Sequence, residues 1–538
     1  MSKERIFIFL TFSAIGFIAY RNCFNILIPS DNYSQLYSFA KGIILNIKDK
    51  NNSSPYLFSF PALFVLYKIL GVSSTYWITT SLIIHIVNTF LVYLVTEIIF
   101  KRSNSKNNIP FFSALFVLIS PYQTEAVIWS PSEIPTTLLV TGLTLLSLLS
   151  LLNYYESQKK ILLLFSHLTF LLAVFSHESA FVLPVILTLL FLLHKKIFDT
   201  KFTKRHFIAH ILLPQAGIIF LYLITSNLLF GEWLWHGGSG DITVSFYKIT
   251  GTFVKYMLKF FLFYRYLPVG SADGLLRNIF YHQMYVIIIF LLLFMAVLIC
   301  FRFIIKKDKV NGEILFILFL CFIISLVPVL PLDSSFLKYI YPDRYGYLPS
   351  VFFYIFLVTT TIFIFKKIAV PILLGYTILC WILLAQTIPV WNSANNYCNQ
   401  LIRNYKPFLK YDNVYVLNMP SYYKGIAAFR CAFPEAIYFM YEESPIEKIH
   451  VISGCYQESI HDSLASIKMN GTKIKVNGPR KTTPHFSTNG GWAQSYETNE
   501  YALNFDTTKC SYTLSFKNEI PPNSAIIYTT NGSWKKVN

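Results

Sequence analysis

Apolar runs long enough to cross a membrane recur along most of this 538-residue chain. A spanning helix needs about 20 mostly apolar residues, within a range of roughly 17–25. The pattern predicts about eleven spans: Arg5–Tyr20, Tyr76–Phe100, Pro110–Gln123, Pro135–Leu152, Ile161–Phe175, Ala180–His194, Ile208–Ser226, Met284–Phe303, Ile314–Val329, Leu348–Phe365 and Ile368–Ile388. We therefore expect a polytopic α-helical membrane protein.

The charged residues are few and are placed as in membrane proteins. They make up 13% of the chain, whereas soluble proteins carry about 25%, and the mean hydropathy is +0.50. A net charge of +18 is also found in nucleic-acid-binding proteins. Here, however, many Lys and Arg residues lie in short gaps between apolar runs, which is how membrane proteins mark their cytoplasmic side. The lipid bilayer is the expected partner, and nucleic acid is not.

The distribution of basic residues also predicts the orientation. Alternate gaps are basic, as at Lys159-Lys160 and Lys366-Lys367, whereas the opposite gaps Pro121–Ile134 and His177–Ser179 contain no Lys or Arg. By the positive-inside rule the N-terminus is cytoplasmic and the residues after Pro389 lie outside. No small-x-small cleavage site follows the first run, so we interpret it as an anchor rather than a signal peptide. The sequence leaves open a bacterial inner membrane or an ER-type membrane.

Two domains are predicted on this basis. Residues 1–390 form a transmembrane domain with a long first outer loop, 21–75, and residues 391–538 form an extracytoplasmic C-terminal domain. Alternating residues at Tyr512–Phe516 are typical of a strand, so this domain is expected to be α/β or mainly β. Two apolar stretches that contain Lys or Arg, Tyr56–Leu70 and Phe253–Leu267, are predicted to be helices lying in the membrane interface.

The C-terminal domain contains four cysteines, which could form two disulfides in an oxidising compartment. Four cysteines allow three connectivities, and the sequence does not choose among them. The cysteines are Cys398, Cys431, Cys455 and Cys510.

Several charged residues fall at the predicted outer ends of spans, where a charge near hydrocarbon is costly and usually has a task. They are Asp31, Glu125, Glu133, His177, Glu178, Asp343 and Arg344. Each also has a purely structural interpretation. Asp31 could cap a helix, Glu125 and Glu178 could form ion pairs with Arg344 or His177, and Arg344 could be an interfacial anchor. His85 lies mid-span and is more typical of an interhelical hydrogen bond than of a ligand.

Neither a metal nor a cofactor is predicted. The sequence contains no HExxH or CxxC spacing, and no Walker or GxGxxG loop. A divalent metal therefore has no support, and neither does ATP-driven transport.

The order of these segments resembles the polyprenyl-phosphate-sugar-dependent glycosyltransferases of the GT-C fold. Ser120–Trp129 resembles an H-P-x-x-T-E-A-V-x-W segment of the transmembrane O-mannosyltransferase-like branch of the protein O-mannosyltransferase family. Ser176-His177-Glu178 resembles its S-K-E link, and Asp343–Ser350 resembles its E-R-Y-x-Y-L-P-S segment. The TPR repeats of that branch are absent, and Asn32 follows Asp31 where the family often has a second acid.

The resemblance implies a membrane glycosyltransferase that moves a sugar, mannose in that family, from a polyprenyl-phosphate donor to an acceptor hydroxyl with inversion. By resemblance Asp31 is the general base, which is worth roughly 10²–10⁴ in rate. Arg344 meets the donor phosphate, and His177 is a second candidate for that role. Glu125, Glu178, Asp343 and His85 support the site. The acceptor is a protein, a glycan or a lipid.

Other classes of protein stay open from sequence. A surface-polysaccharide polymerase or ligase usually places its large loop between late spans, whereas here a long loop with an acid follows the first. A transporter predicts paired broken helices near the midplane, which the sequence does not contain. A non-catalytic membrane protein of the same fold is the remaining alternative.

Overall fold

The computed structural model describes most of the chain. The described residues are 2–42, 57–101, 108–197, 203–234, 245–266, 283–307, 309–331, 343–430, 432–441, 444–457, 459, 461, 466–478, 495–506 and 511–537. They divide into two compact units. The first comprises Met1–Phe24 and Gly42–Thr387, and the second comprises Asn25–Lys41 and Ile388–Asn538.

The first unit is helical. Its helices are α1 (Lys3–Ala19), α3 (Ser59–Leu70), α4 (Ser74–Ile99), α5 (Asn108–Ile119), α6 (Thr124–Ile128), α7 (Val140–Ser157), α8 (Lys160–Val174), α9 (Leu183–Ile197), α10 (Lys204–Phe207), α11 (Leu213–Phe230), α12 (Phe246–Leu262), α13 (Gln283–Lys307), α14 (Lys309–Leu326), α15 (Tyr347–Phe365) and the first part of α16 (Ala369–Asn404). The helix α2 (Ser30–Ala40) belongs to the second unit.

Every segment predicted as a span overlaps one of these helices. Within the described ranges, five helical stretches are long and apolar enough to cross a membrane: Ser74–Ile99, Ile134–Ser157, Lys204–Phe230, Gly312–Val329 and Asp343–Phe408. The helices Asn108–Ile119 and Pro121–Ile128 form a sixth candidate, bent by 53°. The chain is thus a polytopic helical membrane protein, as predicted. The number eleven and the choice of cytoplasmic face stay predictions.

The helix α16 is longer than a membrane span. It has 36 residues, which extend roughly 54 Å at 1.5 Å per residue, whereas the hydrocarbon layer is about 30 Å thick. Part of the helix therefore extends beyond the bilayer, and the polar sequence from Trp391 to Asn404 suits that part.

Helices α4 and α7 approach each other closely at Gly142. A Cβ atom at this position would lie 2.5 Å from Oδ1 of Asn88. The Asn88 amide donates to the carbonyl oxygen of Leu138 at 2.8 Å and to the hydroxyl of Tyr347 at 3.3 Å. The absent side chain at Gly142 therefore leaves room for a buried polar contact among α4, α7 and α15.

We expect Gly142→Ala to destabilise the protein, because its methyl group would displace Asn88 from these hydrogen bonds. Overpacking costs about 1–3 kcal/mol, which exceeds the roughly 1 kcal/mol that Ala gains over Gly in a helix. Gly217→Ala is the matched control, because no atom lies within 4 Å of its added Cβ. Thermal unfolding in detergent should show a lower midpoint for the first variant and an equal or higher one for the second. Equal shifts in both variants would contradict the close approach.

The second unit carries three small sheets and one further helix, α17 (Phe433–Met440). The strands are β1 (Asn413–Val416), β2 (Met419–Tyr423), β3 (Ile426–Ala427), β4 (Ile449–Val451), β5 (Gly454–Gln457), β6 (Ser466–Asn470), β7 (Lys473–Asn477), β8 (Ser495–Glu497), β9 (Tyr501–Asp506), β10 (Ser511–Phe516), β11 (Ser524–Thr530) and β12 (Ser533–Lys536). The predicted C-terminal β domain is confirmed, including the strand at Tyr512–Phe516.

The sheets have the orders β12-β11-β1-β4, β6-β7-β10-β9-β8 and β3-β2-β5. In the first, β1 pairs in parallel with both β11 and β4. The second sheet is antiparallel throughout. Two tight hairpins have positive φ at both loop residues, Lys424-Gly425 and Asn531-Gly532, as two-residue hairpin loops favour. Apolar side chains from the first two sheets share one core, which includes Tyr415, Ile474 and Leu514.

The segment after α1 packs with the C-terminal residues. The Leu27 amide donates to Oδ1 of Asn395 at 3.1 Å, and the Ser30 amide donates to the carbonyl oxygen of Ala428 at 2.8 Å. The predicted domains 1–390 and 391–538 thus differ from the structural units in residues 25–41 and 388–390. The side of the membrane on which the second unit lies stays a prediction.

Two of the four cysteines considered for disulfides do not form one. Cys398 and Cys455 are buried thiols, and Cys431 and Cys510 lie outside the described residues. A pattern of two disulfides among the four is therefore wrong. The spacing of the cysteines in sequence did not indicate that Cys398 and Cys455 would be buried as separate thiols.

Candidate functional site

A buried cluster of charged residues lies in the helical unit, around the turn Asp343–Gly346 that precedes α15. The Arg344 guanidinium donates from Nη1 to Oε1 of Glu125 at 2.6 Å, and its Nε lies 3.1 Å from Oε1 of Glu133. The backbone amide of Arg344 also donates to Oε2 of Glu125 at 2.7 Å. Glu125 therefore fixes both the side chain and the backbone of Arg344.

The surroundings of Arg344 hold its guanidinium in place. The planar group lies 4.6 Å from the ring centre of Trp129 and 4.5 Å from that of Tyr345. Glu133 is fixed in turn, because the hydroxyl of Thr137 donates to its Oε2 at 2.5 Å. Arg344 and the two glutamates form what we call the acidic triad, with a formal charge of −1.

Asp343 is the centre of a second group, which we call the basic triad. Its Oδ1 pairs with Nζ of Lys259 and, at 2.6 Å, with Nη2 of Arg265. The Asp343 side chain is 0% exposed, and those of Lys259 and Arg265 are 7% and 10% exposed. Two cations share one carboxylate oxygen, so the formal charge of this triad is +1.

Aromatic rings enclose the basic triad. The Lys259 ammonium lies 5.4 Å from the ring centres of both Tyr122 and Tyr256, and the Arg265 guanidinium lies 5.3 Å from that of Tyr122. Both tyrosine side chains are buried. Ring faces are electron-rich and attract cations, more strongly where water is excluded. The six charges of the two triads sum to zero, but they are separated into a positive and a negative half.

His177 and Glu178 lie at the turn between α8 and α9. Nδ1 of His177 accepts a hydrogen bond from the Ser179 amide at 3.1 Å, which leaves Nε2 as the protonated ring nitrogen in the neutral form. Glu178 accepts from the hydroxyl of Tyr222 at 2.9 Å through Oε1. The same turn thus presents a ring N–H and an oriented carboxylate.

His85 joins three helices inside the first unit. Its Nδ1 lies 2.7 Å from the Tyr347 hydroxyl, and its Nε2 lies 3.1 Å from the Leu118 carbonyl oxygen. A carbonyl oxygen only accepts, so Nε2 carries the proton and Tyr347 donates to Nδ1. His85 therefore acts as an interhelical hydrogen-bonding residue of α4, α5 and α15.

Asp31 belongs to the second unit, where it lies in the first turn of α2. The helix begins at Ser30 after Pro29, without a side-chain cap, so Asp31 is not its N-cap. Oδ2 of Asp31 lies 3.6 Å from Nη1 of Arg430, and the two side chains are 30% and 28% exposed. The carboxylate is thus accessible and has a cationic neighbour that limits its orientations.

The backbone next to Asp31 is strained. Ser30 is fully buried and has a φ of +22°, which side-chain-bearing residues rarely adopt. Its amide is held by Ala428, and the buried Asn32 amide group donates to the Ile28 carbonyl oxygen at 2.8 Å. Strain of this kind persists where surrounding contacts impose it, often at functional sites. Asn32 fills a donor role that a second carboxylate at this position would not perform.

The structure therefore brings together Glu125, Glu133, Asp343 and Arg344 of the residues singled out from sequence, and it adds Lys259 and Arg265. Sequence reasoning treated Lys259 and Arg265 only as features of an interfacial helix. The available signal was the presence of basic residues within an apolar run, where a charge needs a partner. Within the described ranges, no group of three or more His, Cys, Asp or Glu residues is placed to hold a metal ion.

No protein-family model matches the sequence, and no curated protein matches it. Among solved structures, the chain is similar to one described as the crystal structure of ArnT from Cupriavidus metallidurans bound to undecaprenyl phosphate. That similarity covers 80% of this chain and 84% of the ArnT chain, at 12% sequence identity and a TM-score of 0.38.

Proposed function

We propose that this protein is a membrane glycosyltransferase. It moves a sugar from a polyprenyl-phosphate carrier to an acceptor hydroxyl, with inversion at the anomeric carbon. The proposal is supported by the motifs around Glu125, His177 and Arg344, and above all by the basic triad, which is a buried site with excess positive charge in a helical membrane unit.

The basic triad suits the phosphate of the donor. A buried cation is costly unless it is paired, and here Lys259 and Arg265 have a single Asp343 oxygen in common. An incoming phosphodiester would add a negative charge beside these two cations. During transfer the glycosidic C–O bond breaks and the leaving phosphate gains charge. Cations already fixed at that point stabilise it, and such a contact is worth about 3–4 kcal/mol in other enzymes.

Arg344 takes a positioning role in this account. Its guanidinium is engaged by Glu125 and Glu133, so it anchors the turn that carries Asp343. The direct binding of phosphate by Arg344 stays a prediction from sequence, and the geometry favours Lys259 and Arg265 for that task. His177 is a further candidate through its Nε2–H group.

Asp31 is proposed as the general base. An acceptor hydroxyl loses its proton as its oxygen attacks the anomeric carbon, and an accessible carboxylate can take that proton. Asp31 is accessible and follows a strained residue, Ser30. By family resemblance the sugar is mannose, and the acceptor is a hydroxyl of a protein, a glycan or a lipid.

Binding of polyprenyl phosphate without a sugar tests the phosphate site directly. We expect Lys259→Gln to bind this lipid about tenfold to a hundredfold more weakly than the wild type, because one charge-assisted contact is lost. Binding can be measured by titrating the lipid in detergent micelles against the purified protein.

Lys255→Gln is the matched control, because Lys255 lies one turn earlier on the same helix, α12. We expect its affinity for polyprenyl phosphate to equal that of the wild type. If both variants bind equally well, the basic triad is not the phosphate site. If both lose affinity to the same extent, the effect is one of general surface charge.

A further inference from the structure

A solvent-open cavity of about 250 Å³ lies in the second unit, within the C-terminal domain. Three parts of the chain form it: the residues that follow α16, the start of β1, and the loop that leads to β4. The side chains that matter here are Tyr405, Phe408, Tyr411, Tyr441, Ser444 and Lys448. None of them belongs to the charge cluster or to the surroundings of Asp31.

One wall of the cavity is a row of aromatic rings. The ring centre of Phe408 lies 5.9 Å from that of Tyr405 and 6.3 Å from that of Tyr411, with interplanar angles of 42° and 28°. Tyr405 is buried, whereas Phe408 and Tyr411 are partly exposed. Partly exposed aromatic rings that line a cavity are typical of a binding surface.

Two of the cavity's tyrosines have further polar contacts. The ammonium groups of Lys410 and Lys536 lie 5.4 Å and 4.7 Å from the ring centre of Tyr411, and Nζ of Lys536 donates to its hydroxyl at 3.3 Å. Tyr441 donates through its hydroxyl to the carbonyl oxygen of Arg403 at 2.9 Å. These contacts restrict the rotamers of Tyr411 and Tyr441, and restricted side chains lose less entropy when a ligand binds.

Polar groups line the rim. Nζ of Lys448 lies 3.5 Å from Oδ1 of Asp412, whose Oδ2 accepts from the Asn523 side chain at 2.8 Å. The hydrogen bond from Asn523 and the nearby Lys448 ammonium lower the pKa of Asp412. The Lys448 ammonium and the Ser444 hydroxyl therefore line the cavity beside the aromatic wall. Lys448 is the charged residue of this lining, and Asp412 behind it balances its charge.

From this arrangement we infer that the cavity binds a pyranose ring of a neutral glycan. The apolar C–H face of the sugar packs on Phe408 and Tyr411, and its hydroxyls bond to Lys448 and Ser444. The volume lies below the roughly 300–1,000 Å³ typical of drug-sized ligands, so one ring of a longer chain enters. The role of the bound glycan as the acceptor rests on the proposed function. The binding of a glycan in the cavity does not depend on that function.

The test uses the purified full-length protein and three neutral probes, mannotetraose, cellotetraose and chitotetraose. Saturation-transfer NMR should detect binding of at least one of them to the wild type. We expect Tyr411→Ala to weaken that binding roughly threefold to tenfold, the range for one lost aromatic contact. Tyr411→Phe should retain it, because the ring remains.

Lys448→Ala provides a second variant that leaves the aromatic wall intact, and it should also weaken binding. Tyr496→Ala is the control, because Tyr496 is a partly exposed tyrosine on β8 in another sheet of the same unit. The inference is overturned if none of the probes binds, or if Tyr411→Ala and Lys448→Ala bind as well as the wild type.

Donor turnover on the same preparations separates the two proposals. Release of polyprenyl phosphate without any glycan binding would leave the transferase standing and remove the glycan site. Glycan binding without release from any donor would leave the site standing and remove the transferase.

Discussion

Asp31→Asn is expected to lower the rate of sugar transfer by a hundredfold or more, while the affinity for the donor lipid stays at the wild-type value. An amide has the same shape and keeps the packing of the first turn of α2, but it loses the ion pair with Arg430 and cannot take a proton from the acceptor hydroxyl. General-base catalysis contributes roughly 10²–10⁴ in rate. The rate is measured as release of polyprenyl phosphate under single-turnover conditions, with donor binding measured separately.

Glu497→Gln is the control for this substitution. Glu497 is an exposed carboxylate on β8 in the same unit, paired with Lys517 at 2.7 Å. Its loss should leave transfer unchanged. A wild-type rate in Asp31→Asn would leave Asp31 as a residue of the α2 turn without a chemical role. A lower melting temperature in that variant alone would indicate that its effect is on folding.

Arg344→Met is expected to destabilise the helical unit by about 3–5 kcal/mol, the range found when one partner of a buried ion pair is removed. The substitution leaves Glu125 and Glu133 buried without the cation that they share. It also frees the turn that carries Asp343. The measurement is the free energy or midpoint of unfolding in detergent, compared with that of the wild type.

An exposed pair in the same unit provides the matched control. Arg5 lies 2.9 Å from Glu97, but the two side chains are 42% and 31% exposed, and exposed pairs contribute only about 0–1 kcal/mol. Arg5→Met should therefore change stability little. Equal shifts would contradict a structural role for Arg344. A stable Arg344→Met protein that no longer binds polyprenyl phosphate would favour the phosphate role that the sequence predicts for it.

The helices could be predicted because their physical cause is local. A run of apolar residues at Tyr76–Phe100 or Leu348–Phe365 has to form a helix in a bilayer, since no other structure satisfies its backbone there. Each predicted span therefore falls on a helix. The short strand at Tyr512–Phe516 could also be predicted, because the alternation of apolar and polar residues is a property of neighbouring positions.

The partners of the charged residues could not be predicted, because they lie far away in sequence. Lys259 and Arg265 meet Asp343 across roughly 80 residues of chain, and hydropathy alone does not indicate such contacts. The partner of Asp31 could not be predicted for the same reason, because Arg430 lies about 400 residues later, in the C-terminal domain. The prediction of two disulfides was wrong because the number of cysteines in a sequence does not give the distances between their sulfur atoms.

The contacts of Asn32 explain why this chain has an amide where the family it resembles often has a second acid. Its amide donates to the carbonyl oxygen of Ile28 in a buried turn, and a carboxylate would place two acceptors against each other there. A single acid in this segment is therefore compatible with the proposed chemistry, in which one carboxylate takes one proton.

Transfer of a sugar from a polyprenyl-phosphate carrier can be measured with the purified wild-type protein. The measurement is the release of polyprenyl phosphate from a panel of polyprenyl-phosphate sugars, with and without peptide, glycan and lipid acceptors. We expect acceptor-dependent release from at least one donor, with the sugar recovered on the acceptor in the opposite anomeric configuration. Binding of the lipid without release from any donor would contradict it and would favour a non-catalytic membrane protein of this fold.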